Sequence, residues 1–283
     1  MRAERALAAR VRAALAEDLG PAGDLTTRHF LPAGRSYRAF IKAKAEGVLC
    51  GVPAAAETFR QTCPRAKVRW LAKDGDRVRP GQVVARIAGP REILTAERVA
   101  LNFLQHLSGI ATLARRYAEA VRGTRAKVYD TRKTLPGWRA LAKAAVKAGG
   151  AENHRMGLHD MVLLKDNHWA GTTPEALARK VAAFRRRRPG VPVQVEADSL
   201  ERVRLSLGLK PDLILLDNMG PRLLRRAIAL VRRQAPRVKV EVSGGVDLHT
   251  VRALALLGPD RISVGRLTHS APALDLSMKI ETP

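Results

Sequence analysis

The sequence predicts a parallel α/β barrel preceded by a smaller mixed α/β region, and three features predict it. From about residue 125 onward, short β-branched runs alternate with amphipathic runs through six consecutive units, the rhythm of strand–helix repeats that build a parallel sheet. Each β-run ends on or beside a polar, charged or glycine residue, and in a barrel those C-terminal ends share the face that holds the active site. Before about residue 112 the rhythm is absent, and short strands, turns and helices mix. A doubly wound open sheet is the alternative for the alternating part.

Taken in order, a basic amphipathic stretch predicts a surface helix ending near Gly20. Its Glu4, Glu17 and Asp18 argue against a transit peptide, a class poor in acids. A strand is expected over 37–45, a turn at Gly47 and a helix over 53–61. In VRWLAKDGDRVRPGQVVARIAG, Asp74-Gly75 and Pro80-Gly81 mark turns between short strands. This piece has a lipoyl-domain look but lacks a matching lysine at a hairpin tip, and reads as a structural hairpin. A long helix follows over about 93–117, with Gly109 a candidate for a kink. The strands AKVYD, MVLLKD, VPVQVEA, DLILLD, VKVEVSGG and RISVG then alternate with helices. The helical spacing shows in Leu177, Val181 and Phe184. Pro174 and Pro221 suit first-turn positions, and Gly149 and Gly208 suit helix ends.

Composition narrows the function classes. With 283 residues the chain can bury a full core as one large domain or two smaller ones. A net charge of +25 raises nucleic-acid binding as a reading. However, the basic runs at 185–188, 225–226 and 232–233 close or line helices, with no aromatics interleaved for base stacking. Two cysteines, Cys50 and Cys63, are too few for a disulfide framework and fit a reduced, cytoplasmic location. No apolar run approaches the roughly 20 residues of a membrane span.

The chemistry concentrates at the strand ends. Arg132 and Lys133 follow the first barrel strand, Lys165 ends the second, Glu196 the third and Asp217 the fourth; Ser243, Gly244 and Gly245 end the fifth and Gly265 the sixth. Together with His154 and Arg155, the cations suit a substrate carrying carboxylates or phosphates. Glu196 and Asp217 either form ion pairs with basic neighbours or help to hold Mg²⁺, which takes one or two carboxylates beside phosphate oxygens. The SGGV turn at 243–246 is expected to open a helix, and the SVGRLTHS turn at 263–270 to repeat the arrangement, a paired phosphate cradle. His154, His159 and His168 match no zinc-ligand spacing. His154 suits a hydrogen bond to an anion, while His159 and His168 read as structural.

The motifs DTRKT-x-PG, NHRMGL-x-D, LLKDNH, VE, LLDNM, EVSGG and ISVG-x-LTHS, in this order, resemble those of the quinolinate phosphoribosyltransferases. The resemblance extends through EDLGPAGDLTT and ERVALNFLQHLSGIAT, so it covers nearly the whole chain. It implies an N-terminal α/β sandwich (1–112), an incomplete, about seven-stranded α/β barrel (113–266), and a C-terminal segment (267–283) returning to the first domain. The legible strands number one fewer. The implied activity is that of a decarboxylating pentosyltransferase of NAD biosynthesis. It joins quinolinate to 5-phosphoribosyl 1-diphosphate with Mg²⁺, giving nicotinate mononucleotide, diphosphate and CO₂.

By the same resemblance, Arg98, Arg132, Arg155 and Lys165 serve quinolinate, with Lys133 and His154 beside them, and Lys133, Lys165, Glu196 and Asp217 form the catalytic set. Glu196 and Asp217 hold ribose hydroxyls and metal, partly through substrate or water. Ser243, Gly244, Gly245, Val264 and Gly265 cradle phosphate. Arg98 reaches the site of a partner subunit, so the implied active unit is a homodimer or larger. Leu135, Ala197 and Arg266 depart from the family pattern; Arg266, in place of a small residue, bears on the phosphate turn. A sister family of metal-uptake operons shares the barrel and the TRKT-type motif, but the KDNH segment with Lys165 favours the quinolinate enzymes.

Overall fold

The computed structural model describes residues 2–281 and divides into two compact units. The first comprises the chain through Arg115, Lys147–Gly150 and the segment from Ala271 onward; the second comprises Arg116–Val146 and Ala151–Ser270.

In the first unit, α1 (Arg2–Leu19), α2 (Leu25–Phe30) and α3 (Val52–Thr62) accompany five short strands. These are β1 (Tyr37–Ala43), β2 (Gly47–Val48), β3 (Lys67–Trp70), β4 (Arg77–Val78) and β5 (Val83–Gly89). The expected hairpin forms between β3 and β5, which pair antiparallel, but β4 leaves it to pair with β2. Gly47 is therefore the start of a strand rather than a turn. Asp76 closes the Asp74-Gly75 turn through its carboxylate, which accepts the Lys73 N–H at 2.9 Å.

The expected long helix is two: α4 (Glu92–Thr95) and α5 (Glu97–Ala120), separated at Ala96, and α5 runs unbroken through Gly109. Gly109 serves a different end. A Cβ there would lie 2.1 Å from the Pro272 carbonyl oxygen, so only glycine lets the returning C-terminal segment pass against the helix. Beyond that crossing the chain adds β12 (Leu276–Ile280) to the sheet in the order β12-β1-β5-β3. Ile41, Leu49, Phe59, Ile87, Ile93 and Leu104 form its dry core.

In the second unit the alternation reads out as β6 (Lys127–Tyr129), α6 (Arg139–Ala148), β7 (Val162–Leu164), α7 (Pro174–Arg187), β8 (Val193–Ala197), α8 (Leu200–Gly208), β9 (Leu213–Asp217), α9 (Pro221–Gln234), β10 (Lys239–Ser243), α10 (Val251–Leu256), β11 (Arg261–Ser263) and α11 (Arg266–His269). All six strands are parallel, in the order β6-β11-β10-β9-β8-β7. Strand order never reverses from β7 through β11, so the sheet has no switch point and is not doubly wound. β6 and β7, the first two strands of this unit, lie at opposite edges, which leaves a barrel short of closure. A seventh strand position exists only as a single parallel bridge of Glu152 to Tyr129. Its Glu152 N–H donates to Val128 O (2.8 Å) and its carbonyl accepts from Asp130 N (3.0 Å). One residue of pairing carries no β-periodicity, which is why six strands were legible.

Helices α7 and α9 start on prolines at N1, after Thr173 and Gly220. The basic runs are partly structural: Arg185 pairs with Asp212 and Arg232 with Asp260, each at 2.8 Å. Among the described residues no helix is long and apolar enough to cross a membrane.

Candidate active site

A cleft of about 670 Å³ opens at the C-terminal ends of the parallel strands. Its floor follows from the two-residue period of a strand, which sends alternate side chains to one face. Leu163 and Lys165, Leu215 and Asp217, and Glu241 and Ser243 line it as i, i+2 pairs, with Glu196 from β8, between the first two pairs, and Ser263 from β11, next to the third. Thr131, Arg132, Lys133, His154 and Arg155 complete the wall, and the turns supply Gly244–Asp247 and Val264–Arg266. Every expected site residue lines this cleft except Arg98, which is exposed on α5.

The cations fall into two groups. Lys165 Nζ lies 3.0 Å from Glu196 Oε2, the ion-pair alternative for that acid. Arg132 and Arg155, by contrast, both line the cleft, and among the described residues neither is within ion-pair distance of a carboxylate. Burial pulls the Arg155 guanidinium below its usual range and the Arg132 charge pulls it further, with Asp160 opposing. The Arg132 Nε is buried without a partner, and Arg155 spends one Nη on Met161 O at 3.0 Å. Two neighbouring guanidiniums with unspent donors have the charge and the forked geometry that suit a carboxylate or phosphate.

The two glycine-rich turns differ from expectation in one respect. The SGGV turn does not open a helix: α10 begins only at Val251, after a turn in which Asp247 Oδ1 accepts the N–H groups of His249 (2.9 Å) and Thr250 (2.8 Å). An Asp at 247 competes for those N–H groups and stops the helix short. The backbone is shaped by the glycines instead. Gly244 has φ +98°, and a Cβ on it would meet Asn218 Oδ1 at 2.1 Å. Asn218 itself holds a left-handed φ of +53°, donates from its side chain to Asp217 Oδ2 (2.7 Å) and from its backbone to Ser243 O (3.0 Å). The second turn does lead straight into a helix, with Gly265 at the N-cap of the short α11. Gly265 also leaves room for Lys133, whose Cδ would lie 3.1 Å from a Cβ there.

His154 does not present a free donor to the cleft. Its Nε2 lies 3.2 Å from Glu241 Oε1, and its Nδ1 accepts the Arg155 N–H at 2.7 Å. Beneath it, Lys143 and Asp130 form an ion pair at 2.5 Å with side chains 1 % and 0 % exposed. Burial pushes the Asp130 carboxyl up, against the pull of Lys143 and the His154 N–H. Burial likewise raises Glu241, but bonds from His154, Ser263 and Gln194 more than offset it, leaving Glu241 below the usual carboxylate range. His159 and His168 are exposed outside the cleft; His168 Nδ1 accepts the Lys165 N–H at 3.0 Å. Sequence reading missed Leu163, Leu215, Asn218, Glu241 and His269 in the lining. The signal for Glu241 was present: it stands two residues before Ser243 on the same strand face.

Among the described residues, no three His, Cys, Asp or Glu side chains gather into a metal cage. Glu196 and Asp217 remain, one on each of two paired strands.

Comparison with known families settles the class. The N-terminal domain model of quinolinate phosphoribosyl transferase matches residues 24–108, and the C-terminal domain model residues 110–279. The chain belongs to the quinolinate phosphoribosyl transferase family. It is 42% identical over 277 residues to the nicotinate-nucleotide pyrophosphorylase (carboxylating) of Mycobacterium leprae, covering 95% of each chain. With the chloroplastic enzyme of that name from Arabidopsis thaliana it shares 40% identity over 98% of this chain and 83% of the relative. The structure of the nicotinate-nucleotide pyrophosphorylase from Francisella tularensis superposes with a TM-score of 0.90 at 35% identity, over 98% of this chain and 97% of that one. As a phosphoribosyl transferase family member, the chain carries its cleft wholly on the barrel unit.

Proposed function

We propose that this chain is a decarboxylating quinolinate phosphoribosyltransferase of de novo NAD biosynthesis. It transfers phosphoribosyl from 5-phosphoribosyl 1-diphosphate to quinolinate and yields nicotinate mononucleotide, diphosphate and CO₂. The observation that carries the assignment to this cleft is that Arg132 and Arg155 line it together, close enough for one charge to act on the other. The pair matches the adjacent carboxylates of quinolinate by forked, charge-assisted bonds. Lys133 and Lys165 line the same cleft and serve the negative charge of the phosphoribosyl donor. Glu196 and Asp217 take ribose hydroxyls, while Ser243, Gly244, Gly245, Val264 and Gly265 present backbone and a hydroxyl to phosphate.

The donor set fits Mg²⁺ held mainly by substrate. Glu196 keeps Oε1 free of Lys165 and Asp217 keeps Oδ1 free of Asn218, so each offers one oxygen to the cation, directly or through water. Mg²⁺ there would supply positive charge against the departing diphosphate. The protein's own part is placement. Loss of diphosphate gives C1 of the ribose oxocarbenium character, and Arg132 and Arg155 hold the pyridine nitrogen toward it. Once bonded to ribose, that nitrogen is positive; its charge stabilises the electron pair left on the adjacent ring carbon when the carboxylate departs as CO₂, and that carbon then takes up a proton from water.

Arg98, exposed on α5, belongs in this reading to the quinolinate pocket of a second copy in a homodimer or larger assembly, and the enzyme works in the cytoplasm. The decisive assay is quinolinate-dependent formation of nicotinate mononucleotide by the purified protein with phosphoribosyl diphosphate and Mg²⁺; no product at saturating substrates ends the reading. Subunit sharing has its own test. Arg98→Ala and Lys165→Ala are each expected to be inactive alone, and mixed dimers to regain one intact site. Confirmed heterodimers without activity would mean that each chain completes its own pocket.

A further inference from the structure

Glu241 touches no part of the reaction as derived above, yet it is fully buried on β10 in the floor of the cleft. A buried carboxylate is costly unless its oxygens are satisfied and its charge has a task. Its oxygens are satisfied by three donors: Gln194 Nε2 at 2.9 Å, the Ser263 hydroxyl, and His154 Nε2 at 3.2 Å. The imidazole then fixes a second group, because its Nδ1 accepts the backbone N–H of Arg155 at 2.7 Å. A ring nitrogen that accepts an N–H carries no proton, so the proton of the neutral ring resides on Nε2, aimed at Glu241.

The backbone of His154 is held as firmly as its ring. Its N–H donates to Asp130 Oδ1 at 2.8 Å, and its carbonyl accepts from Lys143 Nζ at 3.0 Å. All four polar atoms of His154 are therefore engaged inside the barrel, and the next residue along the chain is Arg155.

We propose that Glu241 is a positioning residue, which through the Nε2–H tautomer of His154 fixes the backbone of Arg155 and so aims its guanidinium at the anionic pyridine substrate. The inference rests on the reading of Arg155 as a carboxylate-binding residue. Gln194 and Ser263 complete the anchor by holding the carboxylate itself, and the Asp130–Lys143 pair holds the same segment from the other side.

Two measurements test it. The first is read on the wild-type protein: labelled with ¹⁵N-histidine, its His154 signal, assigned by its loss in His154→Asn, should show Nε2 protonated and Nδ1 not, before and after quinolinate is added. An Nδ1–H or doubly protonated ring at neutral pH overturns the proposal. The second compares Glu241→Ala and the milder Glu241→Gln with wild type. The KM for quinolinate should rise by about tenfold to a hundredfold in Glu241→Ala and less in Glu241→Gln, with the KM for phosphoribosyl diphosphate changed by about twofold or less. Wild-type quinolinate KM in a folded variant, or equal loss toward both substrates, overturns it; if Glu241→Ala does not fold, Glu241→Gln decides. Failure of the wild-type protein to use quinolinate at all would instead sink the functional reading, leaving the tautomer result to stand by itself.

Discussion

The two units of this chain bury different things. In the first, the buried polar side chains among the described residues are three hydroxyls, Thr27, Thr58 and Ser108. The last two serve the backbone: Thr58 donates to Ala54 O at 2.9 Å, and Ser108 donates to Cys50 O while accepting from Cys50 N. In the second, Asp130, Lys143, Gln194 and Glu241 are all buried, beneath a cleft lined by cations. An antiparallel sheet filled with aliphatic side chains is stable by area alone. Buried charges add little stability for their desolvation cost, so their value is in fixing geometry. The contrast separates a region whose residues can be exchanged for others of like volume from one whose residues are tied to particular atoms.

Two substitutions of similar weight should break the contrast in different ways. Phe59→Ala, in the first unit's core, should cost about 3–5 kcal/mol of stability, and the folded fraction should keep a wild-type quinolinate KM. Lys143→Met leaves Asp130 buried without its partner and should cost about 3–5 kcal/mol as well, but here the folded enzyme should also bind quinolinate less well. Denaturant titration with steady-state kinetics reads both, and a wild-type quinolinate KM in Lys143→Met would remove the distinction.

A smaller effect is expected at Arg132 and Arg155, the cations proposed to meet the substrate. Arg132→Ala or Arg155→Ala should weaken quinolinate use by about 1.5–3 kcal/mol, the worth of a charge-assisted bond, with the unfolding midpoint little changed. Kinetics like wild type in both would exclude the pair from the pocket.

Acid should act on the barrel through its depressed carboxylates. Glu241 and Asp260 both lie below the usual range, in each case because donors outweigh the burial that raises them. A carboxyl depressed in the folded state stabilises it above the ordinary carboxylate pKa, and that contribution is lost as pH falls through the folded value. Stability should therefore fall on acidification below that range, and Asp260→Asn should flatten the slope; an unchanged slope would mean that other groups carry it. The smallest effect belongs to the exposed Arg86–Glu281 pair at 2.7 Å. Solvent screening limits it to about 0–1 kcal/mol, and salt should abolish what Arg86→Ala removes.

Much of this was legible in the residues. The strand–helix units were readable because strands such as β8 and β10 run five residues with valine at alternate positions, and the helices between strands repeat at three to four residues. Glu152 pairs through one residue, and β2 and β4 through two, which is too short for any period. The strand-end rule located Arg132, Lys165, Glu196 and Asp217, since a strand's end is a local property. The partner of each was not readable: that His154 turns to Glu241 depends on residues 87 positions apart meeting across the barrel. Gly109 looked like a place for a bend because the crossing segment that requires it lies more than 160 residues further along.

The strand β1 lies between β5 and β12, and β12 follows every barrel strand in the chain. During synthesis, the sheet that begins the protein therefore waits for one border until the whole barrel has been made. Until then β1 exposes a row of unpaired amides and carbonyls, the kind of edge to which a stranger's strand can attach. The ribosome thus delivers the opening unit first and completes it last.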